Sequence, residues 1–281
     1  MYERIWRQRR RLFISFALFA LAGYLAAGSL ISDKIFLSLE AGVIGTAVTA
    51  LMLIALPDGR WFLFKLAVLA PVIAFLYSAF PPPVAIGAAL AGIFFLPSQP
   101  WFLDRIRLPG IIKARSETPV SLEKSTVWAR LFPHETNEHW DPYLRGIRPG
   151  RSPNTFFFVY EAFSRSGELQ VPIKVFDVES GVHFKTRDLS QPDAAEGGPV
   201  IVSSHFLESS GDGTVLTVME AAWRPMLWTA FSQWLDDYLG DHTDRIAALL
   251  EGRRDWSLKG ASLKTLTEAA RPGGFQVFQR G

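Results

Sequence analysis

There is no cysteine anywhere in the chain, which removes disulfides, thiolate metal sites and a cysteine nucleophile from consideration. Histidine is scarce too, at 5 of 281 residues, so few positions can supply an imidazole. Charge is nearly missing from long stretches of the first 115 residues, whereas the rest has an ordinary globular mixture. The basic excess is small and uneven: 12 basic and 5 acidic residues precede Ser116, and 17 basic and 22 acidic residues follow from there, giving +7 and −5. That balance leaves no basic footprint for a nucleic acid, and none is expected as a partner. A phosphate-cradling glycine loop is also lacking, since Gly211, Asp212 and Gly213 are too few and read as a turn. Ser203 and Ser204 have no nucleophile-elbow context around them.

What the first part does have is length in its apolar runs. A helix needs about 20 apolar residues to cross about 30 Å of hydrocarbon, and residues 12–31, 35–56 and 61–80 each meet that length. A fourth run near 84–103 is harder to read, because residues 84–96 lie between prolines and cover only about 20 Å. It needs Trp101, Phe102 and Leu103 to finish a crossing. With four spans, Arg4, Arg7, Arg9, Arg10, Arg11, Arg60, Arg105, Arg107, Lys113 and Arg115 share one side, and Lys34 stands on the other. Since the basic excess stays in the cytoplasm, the expectation is a multi-pass inner (plasma) membrane protein with both termini cytoplasmic. The first run is too long for a cleaved signal and is followed directly by further spans. Glu40 and Lys65 fall near opposite ends of their spans, where each can reach the headgroups. Gly23 with Ala27, Ala41 with Gly45 and Ala88 with Gly92 have the small-residue spacing of closely packed membrane helices.

From Thr118 onward the pattern changes to short strands: 120–124, 155–163, 169–178, 182–187, 199–207 and 214–222. Turn residues separate them, among them Gly167, Gly181 and Gly211, which supply the positive φ that tight hairpins need. The reading is an antiparallel meander. Pro225 then opens a helix with Leu227, Trp228, Phe231, Trp234, Leu235, Tyr238 and Leu239 on one face, kinked at Gly240 and running to Gly252. An open sheet needs a cover for its apolar face, and this long terminal helix is the expected cover.

Between the first strand and the meander, Thr126, Val127, Trp128 and Ala129 open a short helix, and Trp140, Asp141, Pro142 and Tyr143 close a helical pair. Here the chain resembles the SRPBCC superfamily, the helix-grip fold of START lipid-transfer domains, polyketide cyclase/dehydrase-like proteins and the birch pollen allergen. The resemblance covers residues 117–251. It implies an α+β domain in which an antiparallel sheet wraps a long C-terminal helix, following a membrane bundle of about four spans. Residues 1–115 are thus bundle and juxtamembrane linker, 116–252 the helix-grip domain and 253–281 a tail. The sequence departs from the family pattern at 146–154, rich in proline, glycine and arginine, and in the long polar loop 188–198.

The resemblance implies a pocket between sheet and helix that binds a hydrophobic ligand such as a lipid or isoprenoid. Trp128, Trp140, Tyr143, Ser203, His205, Trp228, Phe231 and Trp234 are its candidate lining. His205 shares its strand face with Ile201, Ser203 and Leu207, whereas His183 alternates with Lys185 and Arg187 and faces solvent. His134 and His139 are five apart, one more than the zincin spacing, so no metal is expected. No cofactor is implied and no catalytic residue can be named. Two other functions remain open: an accessory subunit of a membrane complex, or a cyclase/dehydratase-type enzyme, which would need a pocket acid and base. The bilayer, a hydrophobic small molecule and either a second copy or another membrane subunit are the expected partners.

Overall fold

The structure is a computed structural model, and it describes residues 2–27, 31–56, 60–80, 105–134, 139–161, 168–189, 200–258 and 260. The chain divides into two units, residues 1–105 with 231–237, and residues 106–230 with 238–281.

The first unit is helical. Its elements are α1 (Tyr2–Arg7), α2 (Arg9–Ala26), α3 (Ile31–Ala55) and α4 (Arg60–Ala79). Within the described residues, two helices are long and apolar enough to cross a membrane, α3 and α4. The expected first span, 12–31, is corrected: α2 stops at Ala26 and α3 already begins at Ile31. The expected fourth span, 84–103, lies outside the described residues. Helix α2 packs on both α3 and α4, which touch each other little. Gly23 permits the α2–α3 approach, because a Cβ there would collide with the Leu37 carbonyl oxygen. Facing away from these contacts, Ile35, Phe36, Leu39, Val43 and Leu51 of α3 and Val72 and Phe75 of α4 are exposed. An apolar surface of that extent needs a membrane or a partner to cover it.

The second unit is one seven-stranded antiparallel sheet in the order β1-β7-β6-β5-β4-β3-β2. The strands are β1 (Ile111–Val120), β2 (Leu144–Pro149), β3 (Thr155–Glu161), β4 (Glu168–Glu179), β5 (His183–Asp188), β6 (Val200–Ser210) and β7 (Gly213–Trp223), with α5 (Lys124–Leu131) between β1 and β2. β1 thus starts inside the stretch read from sequence as linker, and residues 121–123 of the expected first strand are the turn into α5. β2 occupies the segment expected to be irregular, with a register shift between Leu144 and Gly146.

The expected single terminal helix is two: α6 (Leu227–Leu235) and α7 (Tyr238–Leu250). The chain breaks at Asp237, whose φ of 48° is left-handed, a conformation that aspartate tolerates better than most residues. Gly240 lies inside α7 and does not kink it. α7 covers the sheet, burying Leu239, Ile246 and Leu250 in a core with Val127, Leu131, Val175, Phe184, Leu207, Leu216 and Val218. It ends on Gly252, at φ 67°, where the Arg253 N–H reaches back to the Ala248 carbonyl at 2.7 Å. The antiparallel sheet with its C-terminal helices fits the helix-grip arrangement. The supposed tail begins as part of this domain, since Ser257 and Leu258 are buried and the Leu258 N–H donates to Asp241 at 2.9 Å.

Candidate functional site

Between the sheet and α7 lies a cavity of about 180 Å³. Strand alternation builds most of its wall. Phe158 and Tyr160 of β3 are two apart and share a face, as do Phe184 and Thr186 of β5, and His205 stands directly opposite Phe184 in register. Ile173 of β4, Leu131 at the end of α5, Pro133, the loop residues His139, Trp140 and Asp141, and His242 of α7 complete the lining. The wall is mostly ring surface. His205 stacks on Phe184 at 4.7 Å, His139 meets Phe158 edge-on at 5.5 Å, and His242 meets Trp140 at 5.9 Å.

The charged groups beside the cavity are engaged with one another. Arg245 of α7, fully buried, contacts Asp141 at 3.1 Å and Asp255 at 3.4 Å, with its guanidinium 5.2 Å above the Trp140 ring. A buried arginine holds its place only with such partners.

Burial holds two histidines and two tyrosines at or beside the wall in their uncharged forms near neutral pH. Burial pulls His139 down to about 4, against the pull of Asp141 in the other direction, and pulls His205 to about 4. The geometry of His139 agrees: its Nδ1 accepts the Asp141 backbone N–H at 3.2 Å, so in the neutral ring the proton sits on Nε2. Burial pushes the Tyr160 phenol up, and pushes Tyr238, stacked on His242, up to about 12. His205 has one further property. Its ring counts as half-buried because it walls a cavity, yet its Nδ1 is sealed and has no hydrogen-bond partner. Buried polar atoms are nearly always paired, with protein or with ordered water.

The candidates from sequence are dispersed. Trp140 and His205 line the cavity. Trp128 stacks on Phe132 at 4.8 Å and meets Phe184 edge-on, as part of the core. Tyr143 lies 5.9 Å from the Arg245 guanidinium. Ser203 occupies the inner face but turns to Glu220, its hydroxyl 3.5 Å from the carboxylate. Trp228 sits in the first turn of α6. Phe231 and Trp234, expected on the sheet, are corrected: they belong to the helical unit, where Phe231 packs on Phe64 at 6.4 Å and Trp234 is 49% exposed. His183 is on the outer face, between Asp177 and Glu179.

Sequence reasoning missed Phe158, Tyr160, Phe184, Thr186 and His242 as lining. The period-two runs of β3 and β5 could have placed the first four. His242 sits in a polar run of α7 with no such signal.

No family model matches this chain, and no curated protein matches it. Among solved structures it is similar to Ara h 8.0201, with 10% identity over 51% of this chain and 97% of that one at a TM-score of 0.36. It is similar to protein MLL2253 from Mesorhizobium loti, with 17% identity over 51% and 99% at 0.37. The di-domain ARO/CYC StfQ from the steffimycin biosynthetic pathway gives 10% identity over 64% and 61% at 0.39. At these scores the likenesses add nothing to what the strands and helices already establish.

Proposed function

We propose that this is a multi-pass membrane protein whose sheet domain binds a hydrophobic molecule by a compact, uncharged headgroup. The observation that carries the reading is the cavity itself, walled by the rings of Trp140, Phe158, Tyr160, Phe184 and His205. Size narrows the ligand. At about 180 Å³ the cavity is below the roughly 300–1,000 Å³ of sites that enclose a drug-sized molecule, so it suits the ring or head of a lipid or isoprenoid rather than the whole. Charge narrows it further, because the imidazoles of His139 and His205 and the Tyr160 phenol are neutral and Arg245 is already ion-paired with Asp141 and Asp255, so the wall favours a hydrogen-bonding headgroup over a charged one.

The membrane part of the proposal rests on α3 and α4, on their exposed apolar faces and on the distribution of arginine. Within the helical unit, Arg11 and Arg60 both contact Asp236, and Arg7, Arg9 and Arg10 contact Asp237. The N-terminus, the start of α4 and residues 236–237 therefore lie at one end of that unit, which suits a cytoplasmic N-terminus.

Native mass spectrometry of the gently solubilised full chain tests the binding. Wild type carries an apolar adduct that His205→Phe loses, and added ligand at a hundredfold excess over Kd stabilises the protein by about 2.7 kcal/mol. A chain with no adduct, whose melting no lipid class shifts, refutes the reading and leaves an accessory role in a membrane complex.

A further inference from the structure

At the arginine end of the helical unit, two tryptophan–arginine pairs flank one aspartate. The Arg9 guanidinium lies 5.0 Å over the Trp6 ring and 3.6 Å from Asp237, and the Arg10 guanidinium lies 5.2 Å over the Trp234 ring and 3.9 Å from Asp237. Arg7 takes the closest position on the same carboxylate, at 3.2 Å. Asp237 is thus shared by three cations, and the two outer ones hold it only at the limit of an ion pair. Both remain accessible, with 41% of the Arg9 side chain and 32% of the Arg10 side chain exposed. Their tryptophans are exposed as well, Trp6 by 53% and Trp234 by 49%, and Tyr2 by 76%. The guanidiniums are held in place: Arg9 donates to the Trp6 carbonyl at 3.0 Å and Arg10 to the Trp234 carbonyl at 2.6 Å.

We propose that Trp6, Arg9, Arg10 and Trp234 form a docking surface for the headgroup of an anionic phospholipid. Exposed indoles favour the headgroup level of a bilayer. Guanidiniums bind phosphate oxygens in fork geometry, and the local excess of positive charge selects the anionic lipid over a zwitterionic one. The proposal relies on α3 and α4 spanning the bilayer, and carbonate extraction of native membranes tests that separately: a chain that washes off has lost its spans, whatever its lipid preference.

Full-length protein in nanodiscs, with phosphatidylglycerol competing against phosphatidylcholine and the retained lipid read by native mass spectrometry, tests the surface. Wild type retains phosphatidylglycerol with a preference of about 30-fold, from about fivefold for each arginine near an anionic surface. R9Q/R10Q reduces it to near unity with helical circular dichroism unchanged. Should that variant misfold, wild type suffices, since raising salt from 0.1 M to 1 M shortens the screening length from about 10 Å to about 3 Å and erases the preference. Equal retention of both lipids, a preference indifferent to salt, or full competition by millimolar inorganic phosphate overturns the proposal.

Discussion

Replacing Ile246 by alanine is the sharpest test of which helix closes the sheet. Ile246 is fully buried and packs in the core between α7 and the strands. The substitution removes three carbon groups, worth about 0.8 kcal/mol each or about 2.4 kcal/mol in transfer. The cavity left under a rigid sheet raises the cost into the range of about 2–5 kcal/mol. At about 2–4 °C per kcal/mol for a unit of this size, a loss near 3 kcal/mol lowers the Tm by about 6–12 °C. The assay is thermal unfolding of the detergent-solubilised full chain, followed by near-ultraviolet circular dichroism. Trp234→Ala is the internal control, because Trp234 is 49% exposed and lies in the other unit. A Trp234→Ala protein that melts well below Ile246→Ala would refute the assignment of α7, rather than α6, as the cover of the sheet.

Asp141→Ala strips Arg245 of one of its two buried partners and costs about 3–5 kcal/mol, whereas the pair Asp141→Leu with Arg245→Met recovers most of it; denaturant titration of the three proteins checks both. Burial holds His139 and His205 near 4, below their ordinary value near 6.5, so between those values the unfolded chain binds protons that the folded one refuses. Stability therefore falls as pH drops from about 6.5 toward 4 and is level above that window, and His205→Phe flattens the slope when denaturation midpoints are compared at pH 7, 5.5 and 4.5. Reporter fusions at the N-terminus and at Ser116 both read as cytoplasmic; a periplasmic signal at Ser116 contradicts the proposed topology.

The meander was legible because its turns announce themselves: Gly181 and Gly211 both adopt positive φ, at 72° and 56°, between runs of clear alternation. β1 was hidden. It is an edge strand whose first residues face solvent, and Lys113, Arg115, Glu117 and Pro119 leave no apolar period to read. β2 was obscured by Gly146, Pro149 and Gly150, where a register shift accommodates what an ordinary ladder would not. The division of the terminal helix was unreadable for another reason. Asp236 and Asp237 look like a polar face passing through a continuous helical stripe, and the one glycine in the run, Gly240, stands three residues past the true break. What accompanies the break is long-range: arginines some 225 residues earlier in sequence take up the two carboxylates, Arg10 donates to the Trp234 carbonyl near the end of α6, and Gln8 donates to the Asp236 carbonyl just beyond it. Of the cavity, Trp140 and His205 could be nominated locally, but the rest of the wall depends on contacts between residues about a hundred positions apart, such as Arg245 with Asp141.

The seat of Asp236 has a bearing on how the protein is made. Arg11 is wholly buried in the helical unit and its acidic partner is supplied by residues 231–237, a segment synthesised only after all seven strands. At about 5–20 residues per second, the ribosome needs about 6–25 s to travel from residue 105 to residue 231. Throughout that interval the bundle lacks the carboxylate that neutralises its interior cation, and it must wait in a looser arrangement with water at Arg11. The last few residues of α6 and the turn after it therefore act as a closing piece, so that a chain cut short within the sheet leaves behind an incomplete bundle as well as an incomplete domain.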